Sequence, residues 1–570
     1  MERDVFTFIV GGKAGEGVKK SGSVAASILA DLGRNIFQMD DYQSLIRGGH
    51  NFSVVSSSTG PITSHHLRAQ LIVNLDERSY HLHRQEVAED GILVYNSDVM
   101  SEAEGIGLPM TSEAKKFPRP DLRVGVASIT VLAAALGLDM DYVEEVIARE
   151  YKRDLENNVA YASRIFELAR PKIGGRFPLE RGNATGKAIY GAEAIALGAL
   201  AGGLDLYMAY PMTPSSPILH FLAAQGRPFG VHALHLESEV SVANMAVGAS
   251  FAGARVAVGS SGGGFALMAE AFSLAGMMEA PVLFILASRS SPSTGVPTYT
   301  EQADLKFAIS VGHGDFPRVV ACPGTVEEAF YLTADLLGLA WRFQSPVILL
   351  TEKHLGESAM NVSLDPFRAT WAEPVLHSDV GGGPLSTPSL GALEPAQEDG
   401  YRRYRFTDSG VSPLLFPPSS QVIKWNSYEH DEYGITTDQP EPTARMHEKR
   451  YRKRQAIIEH LRGTKTVNVY GEGGPVIFSY GSSTMSVLEA LRTGGIQATV
   501  VQPTYLEPFP VWELERYRGS NPIVVEQSVA GQFSALIREQ AGVSSDRFIR
   551  RYDGRPFEPS ELAQQIKEMM

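Results

Sequence analysis

The chain has 570 residues, too many for one hydrophobic core, so three or four domains are expected. Its 44% hydrophobic and 20% charged content is that of an ordinary globular protein, and a net charge of −14 argues against nucleic-acid binding, which needs basic surface. No apolar run approaches the roughly 18 residues of a membrane span, and Met1-Glu2-Arg3-Asp4 leads into a strand without a signal-peptide layout, so a cytoplasmic location is expected.

Val5–Val10 reads as a buried strand, followed by Gly11-Gly12-Lys13-Ala14-Gly15-Glu16-Gly17 and a helix from about Val18 to Leu32. Such a strand–glycine loop–helix can cradle a phosphate at the helix start. Tight strand-to-helix packing explains the glycines equally well, since neither dinucleotide nor P-loop spacing is present. Arg47, in Arg47-Gly48-Gly49-His50, suits a phosphate or carboxylate contact or a structural ion pair. His50 reads as a hydrogen-bonded scaffold residue. Strands at Phe52–Ser56, Gln70–Leu75 and Gly91–Tyr95 and a helical tail from Ser128 to about Ala169 complete one α/β domain.

By composition a linker runs through Pro171–Lys187, and the domain limits are set at 1–175, 176–187 for the linker, 188–365, 366–465 and 466–570. In the third of these segments, strand-like runs at Leu204–Ala209, Ala254–Gly259 and Pro281–Ala287 each end in polar or glycine residues, with helices between. That is a parallel-sheet pattern, whose ligands collect at the carboxyl ends of the strands. Thr213, the cluster Ser261-Gly262-Gly263-Gly264 and Arg289 fall at such ends. The only cysteine, Cys322, ends another strand-like run and reads as a small buried residue; it excludes a disulfide framework and a self-contained iron–sulfur cluster. Residues 366–439 are irregular and rich in Gly, Pro and Ser, and the basic helix Glu448–Arg462 leads to a last α/β unit. That unit has strands at Gly474–Ser482, Ala498–Gln502 and Pro522–Gln527 and a helix at Met485–Thr493.

Glu239 heads the helix Val240–Ala252, with Gly248 nine positions on and Glu237 as a rival acid. A plain reading is that Ser238 caps the helix and both acids favour its positive end. Arg289 could equally be a rim salt bridge.

Tyr210-Pro211-Met212-Thr213-Pro214-Ser215-Ser216-Pro217 resembles the Tyr-Pro-Ile-Thr-Pro-Ser-Ser signature of 2-oxoacid:ferredoxin oxidoreductases. Gly276–Pro281, Pro292–Thr298, Glu429–Gly434 and Val525-Glu526-Gln527 continue the resemblance, which spans nearly the whole chain. The N-terminal domain resembles the family's γ unit, fused ahead of an α unit most similar to that of the 2-oxoglutarate enzymes. The resemblance implies a multidomain α/β fold. A thiamine-enzyme pyrimidine-binding domain with a parallel sheet would lie between a γ-type domain and a transketolase-C-like domain.

The resemblance further implies CoA-dependent oxidative decarboxylation of 2-oxoglutarate to succinyl-CoA and CO₂ with ferredoxin reduction, or its reverse. Glu239 becomes the acid against the aminopyrimidine of thiamine diphosphate, with Tyr210, Pro211, Gly262 and Gly264 on the same side. Arg289, Thr213, Ser215 and Thr298 become substrate contacts, and Gly12, Gly15, Gly17 and Arg47 coenzyme A candidates. Met212 for the usual Ile, and Gly263 where a Pro is common, depart from the pattern in pocket wall and loop stiffness. The Gly-Asp-Gly of thiamine enzymes is absent from the sequence. The diphosphate site with its Mg²⁺, and a [4Fe-4S] cluster, are therefore expected on a separate β chain in an (αβ)₂ assembly, and the α chain alone is expected to be inactive. Rival readings are the same chemistry on pyruvate, branched-chain or aryl 2-oxoacids, a non-catalytic scaffold, and a nicotinamide enzyme using Asp31 or Asp40 as the ribose contact.

Overall fold

The computed structural model describes residues 4–43, 49–100, 103–120, 123–377 and 400–570, which build three sheets with helices against them. The first sheet has eight strands, in the order Ile106–Leu108, Val87–Asn96, Ala69–Asn74, Phe6–Lys13, His50–Ser58, Asn35–Tyr42, Ser358–Val362 and Lys187–Tyr190. Phe6–Lys13 pairs parallel with Ala69–Asn74 and antiparallel with His50–Ser58. The helix Val124–Ala135 carries no charged residue and is buried on every face, as an all-apolar helix must be.

The structure departs from the compositional linker in two ways. Pro171 lies in the last turn of the helix Leu155–Ile173, where its missing N–H removes one rung just before the helix ends. Lys187 opens a strand, and Lys187–Tyr190 and Ser358–Val362, at the two margins of the expected 188–365 segment, form the edge of the first sheet. Ser358 pairs with Met39, and Ala359 with both Gln38 and Tyr190. A ladder between residues so far apart in the chain leaves no trace in local composition.

The second sheet has the order Tyr505–Glu507, Val319–Ala321, Val347–Glu352, Val282–Ser288, Val256–Ser261, Leu206–Ala209 and His232–His235. All neighbours pair parallel except Tyr505–Glu507, an antiparallel edge contributed by the C-terminal region. Val282–Ser288 is buried at every position, as expected of a central strand covered on both faces. The third sheet runs Val467–Tyr470, Thr499–Pro503, Val476–Phe478, Ile523–Glu526 and Arg547–Arg550. The chain is thus a multidomain α/β protein with parallel-sheet domains.

Two of the singled-out motifs meet in a buried charge network. Glu279 ends the helix Ala269–Met278 in a left-handed conformation (φ 54°). Its two oxygens each accept from Lys449 Nζ at 2.8 Å, and Lys453 Nζ is a further ion-pair partner. Arg403 Nη2 donates to the Glu279 carbonyl at 2.9 Å, while Arg450 Nη1 donates to Glu429 at 2.8 Å. His430 stacks on Tyr404 with ring centroids 3.8 Å apart. Among the described residues, 400–439 form no helix or extended strand; this network, the helix Pro440–Arg462 and apolar contacts such as Phe416 on Trp341 fasten them to the central domain. Burial works to raise the Glu279 carboxyl, but Lys449, Lys453 and Arg403 overcome it and hold the group well below the usual range. Burial, with Lys449 beside it, presses Lys453 down to about 7. Glu279→Gln leaves buried cations without their anion and is expected to cost about 3–5 kcal/mol. A lowered urea midpoint checks this; an unchanged midpoint would show that the lysines are neutral already.

Candidate active site

Three neighbouring parallel strands end together: Val282–Ser288, Val256–Ser261 and Leu206–Ala209, in that order across the sheet. Tyr210–Pro217 leaves the last of them. Tyr210 and Pro211 are half-buried there, and the Tyr210 ring meets His235 edge-on at 6.2 Å. Ser215, expected against the substrate, is fully buried, and its hydroxyl donates to the Met212 carbonyl at 2.8 Å. It closes its own turn, as serine hydroxyls readily do with nearby backbone.

Arg289 follows Val282–Ser288 and reaches across the middle strand end, its Nη1 donating to the Thr213 carbonyl at 2.8 Å. The residue as a whole is only 8% exposed, and among the described residues no carboxylate is paired with its guanidinium. Burial lowers its pKa, with Asp304 opposing. A rim salt bridge is therefore not what the structure has: Arg289 is a buried cation held by a neutral carbonyl, poised for an anion.

Glu239 heads the helix Glu239–Phe251 and is 3% exposed, whereas Glu237 is exposed. Ser238 makes no capping bond through its side chain, and its φ of 62° presents Glu239 inward instead. Ser260 Oγ donates to Glu239 at 3.4 Å. A Cβ at Gly264 would collide with the Glu239 carboxylate and Ser260 Oγ, and one at Gly262 would come within 2.6 Å of Asp304 Oδ2. The glycine turn thus lets backbone close on two acids. Gly263, by contrast, has ordinary space around it.

The Thr298 hydroxyl is buried without a partner, as are the hydroxyls of Ser261 and Ser288 and Oδ2 of Asp304. Buried polar atoms are normally satisfied, so this concentration at the strand ends marks a place for a polar ligand. Burial raises the Asp304 carboxyl, with the Arg289 charge opposing and the Ser288 hydroxyl near it but outside hydrogen-bond geometry. Sequence reasoning missed Ser260, Asp304 and Gln302. The available signal was the polar run Thr300–Asp304 directly after Pro292–Thr298, entering a buried helix at Leu305.

The N-terminal glycine loop is mixed in character. Gly17 opens the helix Val18–Asp31 and faces the Cα of Gly125 in the helix Val124–Ala135, so it serves helix-to-helix packing. Gly12 lies in the strand Phe6–Lys13, and its missing Cβ would meet Glu16 Oε2 at 2.7 Å. That carboxylate accepts from the Lys13 amide at 2.9 Å, so the chain's own acid occupies part of the cradle. Gly15 stands open at φ 104°, and Arg47 lies outside the described residues. Beside the loop, both amide atoms of buried Asn74 and Nδ1 of His50 lack partners. His50 Nε2 meets His83 Nε2 at 2.9 Å, so one side of the ring is bonded as expected and the other is not. Of the two acids offered as a ribose contact, Asp40 is buried and accepts from Gln38 and Ser53 at 2.9 and 2.7 Å, while exposed Asp31 accepts from Tyr142 and Arg149, each at 2.8 Å.

A dry carboxylate at a helix start, a glycine turn against it and unsatisfied hydroxyls at parallel strand ends fit the aminopyrimidine side of thiamine diphosphate. Residues 197–373 match the family described as pyruvate flavodoxin/ferredoxin oxidoreductase, thiamine diP-binding, and residues 7–168 match pyruvate ferredoxin/flavodoxin oxidoreductase. The α subunit of 2-oxoacid:ferredoxin oxidoreductase 2 from Aeropyrum pernix is 29% identical over 99% of this chain and 97% of its own length. The 2-oxoglutarate synthase subunit KorA of Archaeoglobus fulgidus is 32% identical over 60% of this chain and 88% of its own. In three dimensions the chain superposes on a 2-oxoglutarate:ferredoxin oxidoreductase from Magnetococcus marinus, solved with 2-oxoglutarate, coenzyme A and succinyl-CoA bound. The TM-score is 0.87, at 26% identity over the full length of both chains. The chain belongs to the thiamine-dependent 2-oxoacid:ferredoxin oxidoreductases, as an α subunit carrying the thiamine-binding domain.

Glu352, whose strand position pairs with Ser288, is fully buried and accepts from the Ser482 amide at 3.1 Å. Burial raises its carboxyl to about 7. The folded chain therefore keeps a proton that the unfolded chain has lost, and this stability fades as pH rises from the unfolded value through about 7. Glu352→Gln keeps the acceptor without the titration. Its stability relative to wild type is expected to climb between about pH 5 and 7 and then level off, as read from thermal midpoints across pH; parallel curves would refute the assignment.

Proposed function

We propose that this α subunit acts on 2-oxoglutarate, in CoA-dependent oxidative decarboxylation to succinyl-CoA and CO₂ with ferredoxin as electron acceptor, or in the reverse carboxylation. The observation that carries the reading is Arg289, a buried guanidinium without a carboxylate partner, beside Thr213 and within the loop that bears the unpartnered Thr298 hydroxyl. Arg289 binds the carboxylate next to the keto group in bidentate fashion. The Thr213 hydroxyl bonds the same end, and Thr298 takes the distal carboxylate that distinguishes 2-oxoglutarate from pyruvate.

Thiamine diphosphate, when bound, supplies the electron sink for loss of CO₂. Glu239 would hold its aminopyrimidine nitrogen and share a proton with it, which a carboxylate does best in a site shielded from water. Ser260 and Gly264 keep that carboxylate in place, and Tyr210, Pro211 and Gly262 line the same side.

The single cysteine and the missing Gly-Asp-Gly assign the cluster and the Mg²⁺–diphosphate site to a β chain. Val240, Met245, Leu267 and Val296 are large apolar residues left exposed next to Glu239, Gly264 and Thr298, and they suit such a partner's surface. Coenzyme A is assigned to the N-terminal side, where Gly15, Asn74 and His50 offer open or unpartnered groups. An (αβ)₂ assembly completes the reading.

The test is viologen reduction by the chain co-purified with its β partner, given 2-oxoglutarate with and without coenzyme A. CoA-dependent reduction, absent for the isolated chain, is the expected result; response to pyruvate or a branched 2-oxoacid alone would keep the mechanism and replace the substrate. Glu239→Gln is expected to assemble normally and lose about 100-fold or more in turnover; near-normal turnover would remove the acid's role. Arg289→Ala is expected to raise KM and lower kcat/KM about 100-fold through lost carboxylate positioning, and an unchanged KM would leave Arg289 only its bond to Thr213.

A further inference from the structure

The segment after Arg289 folds back on itself and is then handed to the C-terminal sheet. Ser290 donates to the Tyr299 carbonyl at 3.0 Å, Val296 to the Ser290 carbonyl at 3.0 Å, and Tyr299 to the Val296 carbonyl at 3.1 Å. The Ser291 amide donates to Glu301 Oε2 at 3.1 Å. Residues 289–301 are thus a closed loop with Arg289 at its root and Thr298 on its return limb.

Beyond it, Gln302 is buried, and each of its polar groups bonds a residue of the C-terminal region. Its amide donates to the Gln527 carbonyl at 2.8 Å, and its carbonyl accepts from the Tyr480 hydroxyl at 3.0 Å. Nε2 donates to the Tyr480 carbonyl at 2.9 Å, while Oε1 accepts from Ser483 Oγ at 2.8 Å and from the Gln527 amide at 3.0 Å. Gly481, at φ 55°, makes the room: a Cβ there would come within 2.6 Å of Gln302 Nε2. On either side the attachment continues. Thr300 donates to the Gly554 carbonyl at 3.1 Å, and the Arg555 guanidinium lies 3.8 Å over the Tyr299 ring. Gln532 donates to the Ala303 carbonyl at 2.6 Å and accepts from the Lys306 amide at 2.8 Å. Within this fastened stretch sits Asp304, against Gly262 and near Arg289.

We propose that Gln302 is a positioning residue through which the C-terminal domain sets the shape of the substrate pocket, fixing Thr298 relative to Arg289. The proposal rests on the substrate reading above. It gives Val525-Glu526-Gln527 a part: Gln527 supplies backbone on both sides of Gln302, while Glu526 accepts from Phe533 and Ser534 at 2.8 and 3.1 Å and holds the strand end in place. A loop fixed by five hydrogen bonds at one glutamine has little freedom to widen, so the distance between the two carboxylate-binding groups is set from outside the domain that carries them.

The experiment uses the αβ complex with Gln302→Ala. KM for 2-oxoglutarate is expected to rise and its kcat/KM preference over pyruvate to fall, each about tenfold, with kcat on saturating substrate changing much less. Thermal midpoint and β-chain association serve as controls. Hydrogen exchange at the Ser290, Val296 and Tyr299 amides is expected to quicken in the same variant. A folded Gln302→Ala complex with wild-type KM and preference overturns the proposal. Should that variant fail to fold, Tyr480→Phe removes one bond and is read in the same way; faster exchange with a raised KM supports the proposal, and wild-type values overturn it. The exchange readout needs no turnover. A wild-type complex inert toward every 2-oxoacid would defeat the functional reading, whereas unchanged exchange in Gln302→Ala would defeat the clasp.

Discussion

The bond from Arg289 to the Thr213 carbonyl governs the geometry of the site. In the sheet, Val256–Ser261 lies between the two strands from which these residues emerge, so the bond spans two strand spacings, about 10 Å, above the end of the middle strand. That strand end supplies Ser260, Ser261 and Gly262, which form the floor, and Ser260 carries the contact to Glu239. A carbonyl oxygen as partner orients the guanidinium without neutralising it. A buried charge left without a paired anion is costly unless other groups compensate it, and here Asp304 acts on it from nearby.

The same logic explains why so many polar atoms go unmatched in one place. Ser261, Ser288, Thr298 and Asp304 each keep a buried atom without a partner, and such atoms cost about 1–3 kcal/mol apiece elsewhere in a protein. A core under selection for stability alone would have apolar side chains at these strand ends. Local violations of this kind are expected at functional sites, where a ligand can repay them.

How far the sequence speaks depends on how local each signal is. The parallel pattern was legible because the run Val282–Ala287 is apolar throughout and the flanking helices are punctuated by glycine. Glu239 was legible as an acid at a helix start, but its burial was not: Glu237 and Glu239 look alike in sequence, and only the φ of 62° at Ser238 decides which faces inward. Ser215 could be placed in the motif but its local bond could not, since a serine there serves equally well as a turn lock. The first sheet's edge, built from Lys187–Tyr190 and Ser358–Val362, could not be read at all, since register between distant segments is fixed by packing and leaves composition untouched.

Those long-range ladders bear on how the chain can work. Val347–Glu352 of the central sheet runs through Lys353–Gly356 into Ser358–Val362 of the first sheet, with one residue between. Lys353 Nζ donates to the Asp40 carbonyl at 2.6 Å across the same junction. On the opposite side, Glu489 of the C-terminal region accepts from Thr63 and His66 of the first sheet's loops at 2.9 and 3.1 Å. Each of the three sheets is therefore joined to both others by backbone pairing or buried charge, and a rotation of one would break bonds that water cannot replace. Between these ties lie the loops at the strand ends, which carry Thr213, Arg289 and Thr298. Thr298's loop is the longest of these and has its distal end fastened, so its freedom lies between Ser291 and Val296, the stretch bridged at Ser290 and left exposed at Val296.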